Sequence, residues 1–127
     1  MLTPTIVSHW SDGKRIHAIG YFGGKAGDVY LQNEDGVGFG TRISWPNSIK
    51  TGSPVIFMSS GLCSLNGLNL NFTTYYLLFN QGEAIVAPGN NNPYIQLYNV
   101  LTDAQAIDNL DMTTIAVSFH AIFHKFV

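Results

Sequence analysis

Residues 5–22, TIVSHWSDGKRIHAIGYF, constrain the fold more than any other stretch of the chain. Two runs of strand-forming residues flank Asp12-Gly13, a dipeptide suited to a two-residue type I′ turn because both positions tolerate positive φ. The segment therefore predicts an antiparallel hairpin. Closing it with Ser11 opposite Lys14 sets Trp10 against Arg15, His9 against Ile16, Ser8 against His17, Val7 against Ala18 and Ile6 against Ile19. Trp10 then lies within reach of a cation–π contact to Arg15, worth about 0.5–1 kcal/mol at an exposed site.

Strand signals continue down the chain. Short runs at 28–32, 39–45 and 54–59 are separated by Gly, Asn and Asp clusters, and Pro46 closes the second because it cannot donate to a ladder. Residues 68–81 alternate, with Leu68, Leu70, Phe72, Tyr76 and Leu78 on one face and Tyr75, Leu77 and Phe79 on the other. Apolar residues on both faces predict burial on both sides near the end of that strand. Gly82-Glu83 permits a return into 84–87, 88–93 is a polar loop, and 94–101 is a further strand. Thr102-Asp103-Ala104-Gln105 fits a capping box and predicts a helical turn reaching Asp108. In 114–126, Ile115, Val117, Phe119, Ala121 and Phe123 face one way and Ser118, His120 and His124 the other, the period of a half-buried strand. The reading is all-β: one domain over 1–127, an antiparallel sandwich or barrel of roughly eight strands with jelly-roll or Greek-key connections.

At 127 residues the chain is long enough to bury roughly two thirds of its unfolded surface. Its charged share is 11 %, against the usual value of about 25 %. So few charges leave a surface of Asn, Ser, Thr, Gly and backbone, or a surface covered by other subunits. The net charge of −2 and six scattered basic residues argue against nucleic-acid binding. No N-terminal leader or membrane-length apolar run is visible, so a soluble protein made without an export signal is expected. The single cysteine, Cys63, rules out an internal disulfide and reads as a small buried hydrophobe.

No catalytic motif is legible. His120 and His124 stand about 13 Å apart along a strand, too far to share a metal ion, and His9 and His17 point to opposite faces of the hairpin. Most of the carboxylates fall in turns. A glycosidase requires two about 5–10 Å apart across a cleft, for which Asp28 and Glu83 are one conceivable pair. A G-x-S-x-G elbow is absent, Gly23-Gly24-Lys25-Ala26 lacks the rest of a phosphate loop, and Asn71-Phe72-Thr73 is a glycosylation sequon in form only. The expectation is no enzyme, no cofactor and no metal. Aromatic residues are the remaining candidates: Trp10, Tyr21, Tyr30, Trp45, Tyr94 and Tyr98, together with Tyr75 and the cation Arg15. Rings of this kind serve as core, as oligomer anchors or as sugar-stacking platforms. The interface reading is favoured because it also accounts for the missing charge.

Trp10-Ser11-Asp12-Gly13-Lys14-Arg15-Ile16-His17-Ala18-Ile19-Gly20-Tyr21 resembles the W-x-D-G-K-R-x-H-V-x-G-T pattern, followed by a Gly-rich turn, of small structural proteins of tailed bacteriophages. Ala121-Ile122-Phe123-His124-Lys125 is similar to the A-I-F-x-K ending of the same group. The likeness covers about 20 of the 127 residues, with Ala18 and Tyr21 departing from the usual Val and Thr. It implies a non-enzymatic virion component made in the host cytoplasm: a decoration, minor capsid or head-fibre protein. Its partners would be copies of itself, in a closed form such as a trimer, and the major capsid or other virion proteins. It carries over no functional residues. The alternative is a carbohydrate-binding or receptor-binding adhesin module of similar fold, with glycans as partners and no membrane or nucleic-acid role.

Overall fold

A computed structural model describes residues 1–34, 36, 38, 40–46, 49, 55–60, 75–80, 94–106 and 108–124, with 55–60, 79, 80 and 124 described by backbone alone. Its elements are β1 (Thr5–Ser11), β2 (Arg15–Gly23), β3 (Val29–Tyr30), β4 (Thr41–Arg42), β5 (Val55–Ser60), β6 (Tyr75–Asn80), β7 (Tyr94–Asn99), β8 (Ala104–Gln105), β9 (Leu110–Asp111) and β10 (Ala116–His124). There is no helix among the described residues, and all strand pairs are antiparallel. One sheet has the order β1-β2-β10-β5, a second β4-β7-β6 with β8 beside β7, and β3 pairs with β9. The fold is all-β and sandwich-like.

The N- and C-terminal stretches meet in the first sheet. β2 runs along the whole of β10, from Ala116 opposite Gly23 to His124 opposite Arg15. Alternation along these strands sends Ala18, Phe22, Val117, Phe119, Ala121 and Phe123 inward. There they share one core with Tyr75 and Leu77 of β6 and Ile95 and Leu97 of β7. Each fully buried Phe of this set contributes about 1.5–3 kcal/mol. Trp45 closes the layer edge-on, its ring centroid 5.0 Å from Phe123, 5.4 Å from Phe119 and 6.0 Å from Phe22.

The hairpin register differs from the one expected. Ser11 pairs with Ile16, Trp10 with His17, His9 with Ala18 and Ser8 with Ile19, and a bulge at Val7 then brings Ile6 opposite Gly20. The turn is wider because Asp12 stays out of the ladder as an acceptor. Its Oδ1 receives the backbone N–H groups of Lys14 (3.0 Å) and Arg15 (2.8 Å), while its own N–H donates to the Arg15 carbonyl at 3.0 Å. From Ser8 to Ser11 the change is two residues and keeps the expected faces, but beyond the bulge it is one residue, which turns Ile6 from the outer face toward the core, where it packs partly buried.

Two further expectations are corrected. Residues 102–105 are no helical start: Asn99 Oδ1 accepts the N–H groups of Leu101 and Thr102, Asp103 takes a left-handed φ of 53°, and β8 folds back on β7. That side chain competes with helix formation by turning the backbone locally. Among the described side chains of β6 one face is buried, with Tyr75 and Leu77 inside, and the other carries Leu78 at 43 % exposure. The strands expected at 28–32, 39–45 and 94–101 are shorter, as β3, β4 and β7. Residues 68–74 and 84–87, Cys63 and Glu83 lie outside the described residues. No helix among the described residues is long and apolar enough to cross a membrane.

Candidate functional site

The outer face of the first sheet gathers the chain's most chemically distinctive described cluster. Alternation puts Trp10 of β1, His17 of β2 and His120 of β10 on the side opposite the core. Trp10 is opposite His17 in the ladder, and the two rings lie 5.0 Å apart with their planes 5° from parallel. His120 is the diagonal neighbour across the next ladder, where Ile19 is its direct partner. Its ring centroid is 5.3 Å from His17 and 5.8 Å from Trp10.

Polar contacts join the cluster to the turn. His17 Nε2 is 2.8 Å from Asp12 Oδ2, and His17 Nδ1 is 3.0 Å from His120 Nε2. An ionised carboxylate only accepts, so His17 Nε2–H donates to Asp12 and leaves Nδ1 of the neutral ring as an acceptor for His120 Nε2–H. Asp12 is held ionised: the His17 hydrogen bond first, then the Lys14 and Arg15 backbone N–H groups, keep its pKa well below the usual carboxylate range. Arg15 Nε lies 3.4 Å from the same Oδ2. The arrangement is a directed chain, His120 to His17 to Asp12, roofed by an indole that is 43 % exposed.

The eight sequence candidates divide sharply, and Tyr75 of β6 is a core residue at 7 % exposure. Trp10 and Arg15 belong to this cluster, and Tyr21 lies on β2 opposite Ser118, half-buried. Tyr98 is half-buried in the second sheet, stacked on Tyr76 with centroids 5.4 Å apart. Tyr30, Trp45 and Tyr94 are interior residues at 0 %, 5 % and 0 % exposure, which corrects their reading as surface anchors or ligand platforms. Burial pushes the Tyr30 hydroxyl up to about 12. The Tyr94 ring instead carries the Arg42 guanidinium, 4.9 Å from its centroid. These rings fill the space between layers that Leu and Ile fill in more aliphatic cores.

Sequence reading missed the joining of Asp12, His17 and His120. Asp12 was legible as a turn residue, but the pairing of the histidines requires β2 beside β10, a contact across 103 residues. Among the described residues, no group of three or more His, Cys, Asp or Glu side chains is placed to hold a metal ion. Asp28 is half-buried with its pKa raised by that burial, and its conceivable partner Glu83 lies outside the described residues. A depression on the second sheet is lined by Tyr75, Asn99, Thr102, Gln105 and Leu110, away from the histidine cluster.

The fold and cluster define an all-β protein with an open, aromatic and imidazole-bearing sheet face. No family model matches the chain, and no curated protein or solved structure is significantly similar to it.

Proposed function

We propose that the chain is a non-enzymatic structural protein that acts by association, and that its setting is the virion of a tailed bacteriophage. The observation that carries the association is β1. Among the described residues it is an edge strand paired only with β2, and Val7, Ser8, His9, Trp10 and Ser11 are all exposed. None of these five is Lys, Arg, Asp or Glu. Proteins that keep an edge to themselves commonly guard it with charge, proline or a covering element. Among the described residues the guard is limited to the bulge at Val7, whose side chain is 67 % exposed. The outer face of the second sheet adds Leu78 and the stacked Tyr76–Tyr98 pair. The bacteriophage setting rests on the Trp10-to-Tyr21 pattern.

Association through this edge would bury Val7 and the free rim of Trp10 against a second copy or a neighbouring virion protein. The Trp10-to-Tyr21 resemblance gives such a surface a decoration, minor capsid or head-fibre role. The carbohydrate-binding alternative loses Trp45 as its platform, since that ring is in the core. It is left with Trp10 or the Tyr76–Tyr98 pair, whose Tyr76 hydroxyl donates to Asp103 at 2.8 Å.

Light scattering over a dilution series tests the proposal, with a parallel search for the chain in purified phage particles by mass spectrometry. The expected result is a fixed multiple of 13.9 kDa or stable incorporation into particles. A monomer at every concentration that also ignores particles removes the reading, and saturable glycan binding by that monomer installs the alternative.

A further inference from the structure

We infer that His17 and His120 form a two-histidine site for a divalent transition ion of the zinc, copper or nickel class. Their facing nitrogens, His17 Nδ1 and His120 Nε2, are 3.0 Å apart. Two nitrogens each about 2.0–2.1 Å from one ion lie about 2.9 Å apart at a right angle and about 3.4 Å apart at the tetrahedral angle. The pair is therefore already spaced as two ligands of one ion. Imidazole nitrogen is the donor that these metals favour.

Asp12 supplies the support such a site requires. By accepting His17 Nε2–H at 2.8 Å it fixes the tautomer in which Nδ1 presents a lone pair toward His120. A carboxylate behind a ligating imidazole also orients the ring and raises its basicity. Asp12 is itself anchored by the Lys14 and Arg15 backbone N–H groups, so the support is built into the hairpin turn. Trp10 stacked on His17 limits that ring's rotation.

Binding places the ion to the side of the line between the two nitrogens, about 2.0–2.1 Å from each, and the hydrogen of His120 Nε2 passes through solvent to His120 Nδ1. Both rings stay neutral and no proton is gained or lost. Among the described residues no third His, Cys, Asp or Glu converges on the pair, so the two imidazoles are the protein ligands assigned to the ion. His9, opposite Ala18 in the ladder, lies on the other face and takes no part.

The test titrates the full chain with zinc chloride and follows its thermal unfolding, with EDTA reversal. A ligand that binds the folded state alone raises the unfolding temperature with its concentration. The expected result is a saturable rise, abolished in His17→Gln and His120→Gln and kept in His9→Gln. Asp12→Asn, which retains the turn's acceptor oxygen, is expected to weaken binding about 10–100-fold. Copper quenching of Trp10 fluorescence, taken as the difference between the wild-type chain and Trp10→Phe, gives a reading that does not depend on the histidine variants folding. No rise at millimolar zinc together with no Trp10-specific quenching overturns the site. So does a rise that survives both histidine substitutions. Neither readout depends on the association proposed above.

Discussion

The indole of Trp10 lies flat against the imidazole of His17, 5.0 Å between centroids and 5° between planes, across the β1–β2 ladder. Cross-strand aromatic pairs are a unit of sheet stabilisation, and such a pair is worth about 0.5–1.5 kcal/mol beyond the area it covers. A double-mutant cycle of Trp10→Ala and His17→Ala in urea unfolding is expected to give a coupling of that size. The register inferred from sequence placed Arg15 under the indole instead, so Trp10→Ala with Arg15→Ala is expected to couple much more weakly. Equal coupling in both cycles would contradict the pairing.

Gly20 is held by the bulge at Val7. A Cβ at this position would stand 1.9 Å from the Thr5 carbonyl oxygen, a backbone atom with no freedom to turn away. The bulge brings β1 across β2 just where β2 has no side chain, and Gly in a strand marks this kind of close approach. Gly20→Ala is expected to destabilise the fold by about 1–3 kcal/mol or more, since relief requires moving the edge strand. Gly13 has open space around it but a φ of +94°. Its replacement by Ala strains only the turn, and denaturant midpoints should rank Gly20→Ala as the more damaging.

How much of this was legible depended on the range of the interaction. Alternation in β10 is legible in the sequence, because period two is a local property, and Val117, Phe119, Ala121 and Phe123 are all buried. The hairpin was legible but its register was not, since Asp12 capping Lys14 and Arg15 outcompeted the two-residue turn that Asp-Gly suggests. The burial of Tyr30, Trp45 and Tyr94 is not legible, because a ring's chemistry does not reveal whether two layers close over it. The His17–His120 contact lay beyond reach for the same reason: only the neighbouring of β2 and β10 creates it.

Asp12 gives the stability a defined acid dependence. Its folded pKa lies below the unfolded value of 3.8, through His17 first and then the turn's N–H groups. The stabilisation is therefore complete above the unfolded value and declines as pH falls from about 4 toward the folded one. The stability difference between the wild-type chain and Asp12→Asn is expected to be constant near neutrality and to shrink below that point. A difference that grows on acidification would show the sign to be wrong.

Asp28 should behave in the opposite sense. Burial raises its pKa, and its Oδ2 finds no hydrogen-bond partner among the described residues. The folded state thus favours the protonated form more than the unfolded chain does, and the charge weakens the fold at neutral pH. Asp28→Asn is expected to raise the unfolding temperature at pH 7 and to leave it nearly unchanged at pH 3. Lys25 offsets part of the burial effect, so the neutral-pH gain should widen in a Lys25→Ala background.

Val7 separates association from folding. Its side chain is 67 % exposed at the bulge of an edge strand, outside the core. Surface substitutions in such places usually change stability by no more than about 0.5 kcal/mol. Lysine there places a charge on the open edge, the device by which edge strands resist pairing with another chain. If β1 is the association surface, Val7→Lys is expected to bring the mass in solution toward 13.9 kDa with an unchanged unfolding midpoint. An unchanged mass would move the contact to the outer face of the second sheet, where Leu78→Lys becomes the informative variant. A loss of both mass and stability would mean that the strand does not hold its place without a partner.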